Sequence, residues 1–459
     1  MQIPNVDYLI LFLYFIFIVY VGLYKKNNKP KDFDQFVLSG RKLSLPGFII
    51  TLVATWYGGI LGQGENTFNN GFQTWVIFGL PYYFFAIIYA FVIPQRVLKL
   101  DSYSLSDHFL ITYGTKAGII SALYVLVLAS PAPYILSLGV LTSFITGISP
   151  QISIILTTSF TFLYLWKGGF SAIIRTDILQ FILMFLGFFL LLFFCLDHKP
   201  FSTMISELPK TFLTKDSFGS LQYIFVWFFI AMWTFVDPGF YQRIIASGSI
   251  KTAKKGIFIS VVFWFIFDIL TILTALYAKT LFPLSDPLFI YPELAYEVLP
   301  PLISGIFITG LIATIMSTID SLGFISGFTF GHDILMKIKE VKKTSKANSN
   351  HSVQYIQQGL VVTCFISLIL VFSFPSVVQL WYGIGSTMIP GLLLPFFLSF
   401  TRLKLNIVPS MIIPTLISCI WLFIGYIFGS YPFKIEPFYS GLLTSIIIIL
   451  FTVIYEKRN

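Results

Sequence analysis

Long apolar runs separated by short polar connections recur from one end of the chain to the other. The runs cover 8–24, 45–68, 72–95, 118–145, 149–166, 171–196, 219–240, 255–281, 300–330, 355–374, 376–399, 407–428 and 437–455. Each has at least the roughly 17 residues that an α-helix needs to cross the hydrocarbon core of a bilayer. The pattern predicts an all-α polytopic membrane protein with about 13 transmembrane helices. The first run has no basic segment before it and no small-residue cleavage site after it, so it is expected to stay as a helix. The stretch KIKEVKKTSKANSNHS (337–352) reads as a solvated cytoplasmic linker and, falling late in the chain, divides no domains.

Composition agrees with this reading. The chain is 56% hydrophobic and only 11% charged, with 52 Phe and 24 Tyr, which fits neither a water-facing enzyme nor a disordered chain. Cys195, Cys364 and Cys419 all lie inside apolar runs, so no disulfide framework or Cys-rich metal site is available. A net charge of +9 would suggest nucleic acid in a soluble chain. Here the charges fall on one side instead. Assigning alternate connections to opposite faces puts 24 of the 29 Lys and Arg together, Arg243 among them, and leaves out Lys199, Lys210, Lys215, Lys279 and Lys434. The positive-inside rule then sets the N-terminus outside and the C-terminus in the cytoplasm of a plasma (inner) membrane. The partners expected are membrane lipid and small molecules, with no nucleic acid and no obligate protein partner.

Chemistry is expected where polar groups sit at membrane depth, because a carboxylate there costs about 2.5–3.5 kcal/mol even on the mildest scale. Glu65, Asp177, Asp268 and Asp320 qualify. His108, His198, His332 and His351 fall in connections or at helix ends, which leaves no histidine relay or zinc site inside the bilayer and weakens an intramembrane protease. In the ninth run Thr314, Ser317, Thr318 and Ser321 repeat at i, i+3, i+4 and i+7 and form one polar stripe flanked by Asp320. The hydroxyls alone are equally explained by close helix packing, but the adjacent carboxylate favours a site for a hard cation. Such a site also needs backbone carbonyls freed by a broken helix. The second run offers a candidate break in VATWYGGILGQGE, where Gly58, Gly59, Gly62 and Gly64 crowd together, although glycines there also permit simple close packing.

These segments resemble the sodium:solute symporter family over essentially the whole chain. The resemblance rests on VATWYGGILG in the second run, GGFSAIIRTDILQ (168–180), DPGFYQRIIASGSIKTAKKG (237–256), LIATIMSTIDS (311–321) and, more weakly, LWYGIGSTMIPGLLLPF (381–397). It implies the leucine-transporter-type fold in one transmembrane domain, 1–459. Residues 45–196 would form the first inverted repeat of a 5+5 core and 219–399 the second, with 8–24 an extra N-terminal helix and 407–455 two C-terminal helices. The implied function is sodium-coupled secondary active symport, importing a small organic solute by alternating access, and not an enzymatic one. A proton-coupled carrier on the same fold and a non-transporting solute sensor are the alternatives.

Carried over by position, the resemblance implies a first Na+ site from the carbonyls of Leu52, Thr55 and Thr314 and the hydroxyls of Ser317 and Thr318. Some members hold a second sodium between the Asp of the GG…TD…Q motif, here Asp177, and the next turn of the hydroxyl helix. At those positions this chain has Asp320 and Ser321, where two-sodium members have Ser at both. Two carboxylates sharing such a site would need a sodium or a proton between them. Substrate is expected between the second and seventh helices. Trp233 falls where sugar-transporting relatives carry an aromatic gate, while Gly58 and Gly59 replace side chains that bind sugar there, which disfavours a hexose. Asp268, one turn beyond Trp264, suits an amine-bearing solute or else a structural pairing. Tyr382 is a further substrate candidate. Asp237 is expected to cap or pair locally with Arg243, and Glu65 to face an outer vestibule.

Overall fold

The computed structural model describes residues 4–23, 33–213, 221–282, 286–341, 349–401, 403 and 405–458. Of the charges used for orientation, Lys25, Lys26, Lys29, Lys31, Lys215, Lys342, Lys343, Lys346, Arg402 and Lys404 lie outside the described residues. Among the described residues thirteen apolar helical segments follow one another. They are α1 (Asn5–Leu23), α2 (Leu45–Ala54 and Ile60–Asn70), α3 (Trp75–Val92), α4 (Thr115–Thr146), α5 (150–168), α6 (170–198) and α7 (Leu221–Ser247). After these come α8 (Ile250–Leu281), α9 (Ile303–Phe328), α10 (Ser349–Ser373), α11 (Val377–Leu398), α12 (Val408–Phe428) and α13 (Pro437–Arg458). Among the described residues ten helices are long and apolar enough to span a membrane, or eleven if the bent pair Phe33–Arg41 and Leu45–Tyr57 is one span. The expected thirteen thus exceeds what length and hydropathy alone support.

Five interruptions shape the bundle. Pro150–His198 is one helical run of 49 residues, which would extend about 74 Å if straight, more than twice the hydrocarbon thickness. Gly169, at φ 63° and ψ −179°, divides it into α5 and α6. A side chain would be strained at that φ and would also strike the Phe36 ring 2.7 Å away. The second break lies in α2. Ser44 caps its N-terminus by accepting from the Gly47 amide, and the helix tightens at Thr55–Tyr57 and breaks at Gly58–Gly59 before restarting at Ile60. α7 is interrupted twice, at Ala231–Met232 and at Asp237, whose carboxylate accepts from the Phe240 amide and restarts the helix behind Pro238. α4 breaks at Ala129–Pro131.

α9 runs through the middle, its most apolar window 89% buried. Its N-terminus starts from Leu302 at φ 76° without a cap of its own. Asp7 of α1 supplies one from outside, accepting from the Leu302 amide and the Ser304 hydroxyl at 3.2 and 2.7 Å. At the other end α9 continues as a π-helical turn, Thr329–Met336, and then Lys337–Val341. The expected linker 337–352 is therefore partly helix, and its 342–348 portion lies outside the described residues. A second correction concerns Arg243. It was counted with the cytoplasmic connections, yet it lies on α7 and is completely buried, because α7 resumes after Asp237 and carries it back against α2.

Candidate ion and substrate site

The broken α2 meets the hydroxyl stripe of α9. Thr318 Oγ1 donates to the Thr55 carbonyl at 2.8 Å and stands 3.5 Å from the Thr314 carbonyl. Thr55 O, Thr314 O and Thr318 Oγ1 thus converge, and Leu52 lies one turn before Thr55 on the same half-helix. Neutral hydroxyl and carbonyl oxygens freed by a helix break are a donor set suited to a monovalent cation. The contact depends on Gly58, whose absent side chain leaves room for Thr318; a Cβ there would lie 2.4 Å from Thr318 Cβ and 2.7 Å from the Tyr134 ring.

Ser317 and Ser321 point elsewhere. Ser317 Oγ donates to Asp177 Oδ1 at 2.6 Å, so it stands between the first cluster and the carboxylates. Ser321 accepts from Thr55 Oγ1 at 2.9 Å and from Arg243 at 3.1 Å, and has no hydrogen bond with Asp177 among the described residues. Asp320 Oδ1 accepts instead from Tyr164 of α5. Beside this pair Gln180 donates to the Tyr14 hydroxyl at 3.2 Å. Asp177 and Asp320 are fully buried, and among the described residues Oδ2 of each has no hydrogen-bond partner.

A cavity of about 120 Å³ opens at the breaks of α2, α4 and α7, room for several waters or a small solute given the roughly 10–15 Å³ one water needs on this measure. Its walls are aromatic: Trp56, Tyr57, Phe78, Tyr82, Tyr134, Trp227, Trp233, Phe240 and Trp381. Trp56 leans on Trp264 with ring centroids 4.8 Å apart, and Trp381 donates to the Tyr134 hydroxyl at 3.3 Å. Gly59 lies under Trp381, where a Cβ would come within 1.8 Å of Cζ2. Asp237 and Asp268 supply negative charge and Arg243 supplies positive charge. Asp268 accepts from Tyr57, Gln63 and Tyr83, all neutral donors. Among the described residues no ion pair joins either Asp to a Lys, Arg or His.

Of the substrate candidates, Gly59, Trp233 and Asp268 line the cavity, and Gly58 backs it. Tyr382 does not: one residue's rotation along α11 turns it toward Glu436, to which its hydroxyl donates, and brings Trp381 to the cavity instead. Asp237 both caps α7 locally and lines the cavity. Residues that sequence reasoning missed are Tyr164 and Gln63, while Arg243, expected only as a partner of Asp237, lines the cavity and bonds to Thr55 and Ser321. Gln63 carried a signal, as an amide at membrane depth in a glycine-rich run. Tyr164, one of 24 tyrosines, carried none.

Two broken helices facing one another across a central cavity, beside a hydroxyl-lined helix, define a secondary transporter of the leucine-transporter-type fold. Residues 36–406 match the sodium:solute symporter family, and the chain belongs to it. It is an integral multi-pass membrane protein, a sodium-coupled symporter and not an enzyme. Sodium/proline symporter 2 of Staphylococcus saprophyticus is 22% identical over 98% of this chain and 93% of its own length. High-affinity choline transporter 1 of Drosophila melanogaster is 21% identical over 85% of this chain and 66% of its own. The sodium/pantothenate symporter of Haemophilus influenzae is 23% identical over 80% and 78%. Among solved structures, the substrate-bound outward-open state of a Na+-coupled sialic acid symporter superposes with a TM-score of 0.80 at 17% identity, covering 99% of this chain and 97% of that one. The nucleobase-cation-symport-1 family transporter Mhp1 gives 0.59 at 11% identity. At these identities the likeness is one of fold.

Proposed function

We propose that the chain imports a small solute carrying a positively charged amine or quaternary ammonium, driven by sodium held at Leu52, Thr55, Thr314, Ser317 and Thr318. The observation that carries the solute class is the cavity itself: aromatic faces around two carboxylates, Asp237 and Asp268, whose hydrogen-bond partners are uncharged and which outnumber the one cation in the lining, Arg243. A cation over such rings gains about 0.5–2 kcal/mol per good contact, and it also compensates a buried negative charge that neutral donors only partly satisfy. Relatives that move choline and proline, both of which bear a cationic nitrogen, agree with this class. Asp177 and Asp320 are read as a second site for a sodium or a proton, with Ser317 linking it to the first and Ser321 at its edge. Trp233 is the inner aromatic gate.

The reading includes an outside N-terminus, a cytoplasmic C-terminus, repeats at 45–196 and 219–399, and thirteen spans embedded directly in lipid. A thermal-shift screen of the purified protein with choline, proline, glucose and pantothenate, each with sodium and with potassium, tests it. A ligand at 100 times its Kd stabilises the native state by about 2.7 kcal/mol. Choline or proline is expected to raise the melting temperature in sodium alone. A sodium-dependent shift with glucose or pantothenate and none with the amines would overturn the solute class.

A further inference from the structure

Arg243 lines the cavity described above and donates to Thr55 and Ser321, and it is fully buried there. Its Nη2 lies 3.0 Å from the Thr51 carbonyl, 2.7 Å from Thr55 Oγ1 and 3.1 Å from Ser321 Oγ. These three oxygens also bond among themselves, Thr55 Oγ1 to Thr51 O at 2.7 Å and to Ser321 Oγ at 2.9 Å. The group is a compact oxygen triangle with a positive nitrogen on it, the arrangement a small cation would take. Nε on Thr51 Oγ1 at 3.0 Å and Nη1 on the Gly239 carbonyl at 3.2 Å hold the guanidinium in place. Every one of these acceptors is neutral and no carboxylate among the described residues lies within 4 Å of Arg243, although Asp177 and Asp237 are near enough to act on its charge.

Position gives this charge a role. Thr55 belongs to both clusters, its carbonyl on Thr318 and its hydroxyl on Arg243. Thr51 lies one turn nearer the start of α2, the end read as cytoplasmic. An ion leaving the first site inward would next meet the triangle, and there it would meet the guanidinium. We propose that Arg243 is a tethered cation that closes the cytoplasmic exit of the first sodium site. Resting on the sodium site proposed above, the assignment makes Arg243 a determinant of sodium affinity and of coupling. Its fixed charge weakens sodium binding by repulsion at short range, where a low dielectric screens little, and it bars sodium from slipping through without solute.

Sodium binding to the full-length purified protein, read with 22Na+, and 22Na+ leak from proteoliposomes without solute test this. Arg243→Gln keeps hydrogen-bond donors and loses the charge; it is expected to bind sodium roughly tenfold more tightly and to leak. Arg243→Lys, which keeps the charge, is expected to do neither. Unchanged affinity and leak in Arg243→Gln would overturn the proposal. Should that variant fail to fold, Arg243→Lys carries the test: it keeps the charge, and a folded Arg243→Lys that leaks sodium or binds it roughly tenfold more tightly overturns the proposal. The double variant Ser317→Ala with Thr318→Ala separates the two readings. Sodium bound with unchanged stoichiometry and affinity in it refutes the site, whereas a sodium lost there with affinity and leak unaltered in Arg243→Gln refutes the role of Arg243 alone.

Discussion

At the scale of single residues, Gly58 and Gly59 divide the labour of the α2 break. Both have φ values that any residue adopts, −58° and −88°, so what demands glycine is close approach. Gly58→Ala would push its methyl group into Thr318 and separate that hydroxyl from the Thr55 carbonyl; it is expected to weaken sodium activation of transport at least tenfold. Gly59→Ala would collide with Trp381 instead and drive the indole into the cavity. It is expected to raise the KM for solute while the sodium response is kept. Equal effects of the two variants on sodium activation would contradict the division. The hydroxyl stripe and the glycine-rich break were legible as periodic and compositional signals, whereas the pairing of Thr55 with Thr318 followed from the resemblance to the family. The partners of Asp320 and Asp268 were not. Tyr164, Tyr57 and Tyr83 come from other helices and look like ordinary apolar-run aromatics until the fold brings them to a carboxylate. Arg243 was misread for a related reason, since a cation a few residues past an apolar run has the same local pattern whether the helix ends there or bends back into the bundle.

At the scale of elements, short helices outside the spans tie the ends of several helices together. Leu105–Tyr113, between α3 and α4, carries His108, which bridges the Tyr241 hydroxyl of α7 at 3.0 Å and Ser399 beyond α11 at 2.7 Å. Tyr241 in turn meets Ser102 at 2.9 Å. The apolar runs located the spans but said nothing of this tie, because a histidine in a polar connection has no periodic signature. Rings of Phe109, Phe396 and Phe400 surround the imidazole, and burial pushes it down from its ordinary 6.5 to about 4. The folded value lies below the unfolded one, so this neutral histidine contributes its full share above about pH 6.5 and loses it as pH falls toward 4. By pH 5 the loss is about 2 kcal/mol. The neighbouring Asp107 carboxylate lies instead on the Tyr103 amide, 3.9 Å from Lys337. The protein is expected to lose melting temperature between pH 7 and 5, and His108→Gln, which does not titrate, to lose less over the same range. Parallel curves for the two would exclude His108 as the cause.

At the scale of the whole molecule, the number of ions moved per solute sets what the fold can accomplish. One sodium crossing a potential of about 100 mV gains about 2.3 kcal/mol, and a roughly tenfold gradient adds about 1.4, enough to accumulate a solute of no net charge on the order of 500-fold. A second sodium squares that ratio. Asp177 and Asp320 decide between the cases, because each keeps a buried oxygen without a hydrogen bond among the described residues, and two such carboxylates flanking Ser317 repel unless a sodium or a proton joins them. With the membrane potential clamped at zero in proteoliposomes, the solute ratio at which net flux stops varies as the sodium ratio raised to the number of coupled sodium ions, whatever charge the solute bears. If the pair holds sodium, a logarithmic plot of one ratio against the other has slope two for the native chain and slope one for Asp177→Asn. If it holds a proton, the slope is one for both, and an imposed pH gradient shifts the null ratio in the native chain alone. A slope of one in both, indifferent to pH, would make the carboxylates a structural pair held by Tyr164 and Ser317, and would leave the first site as the sole coupling of sodium to solute.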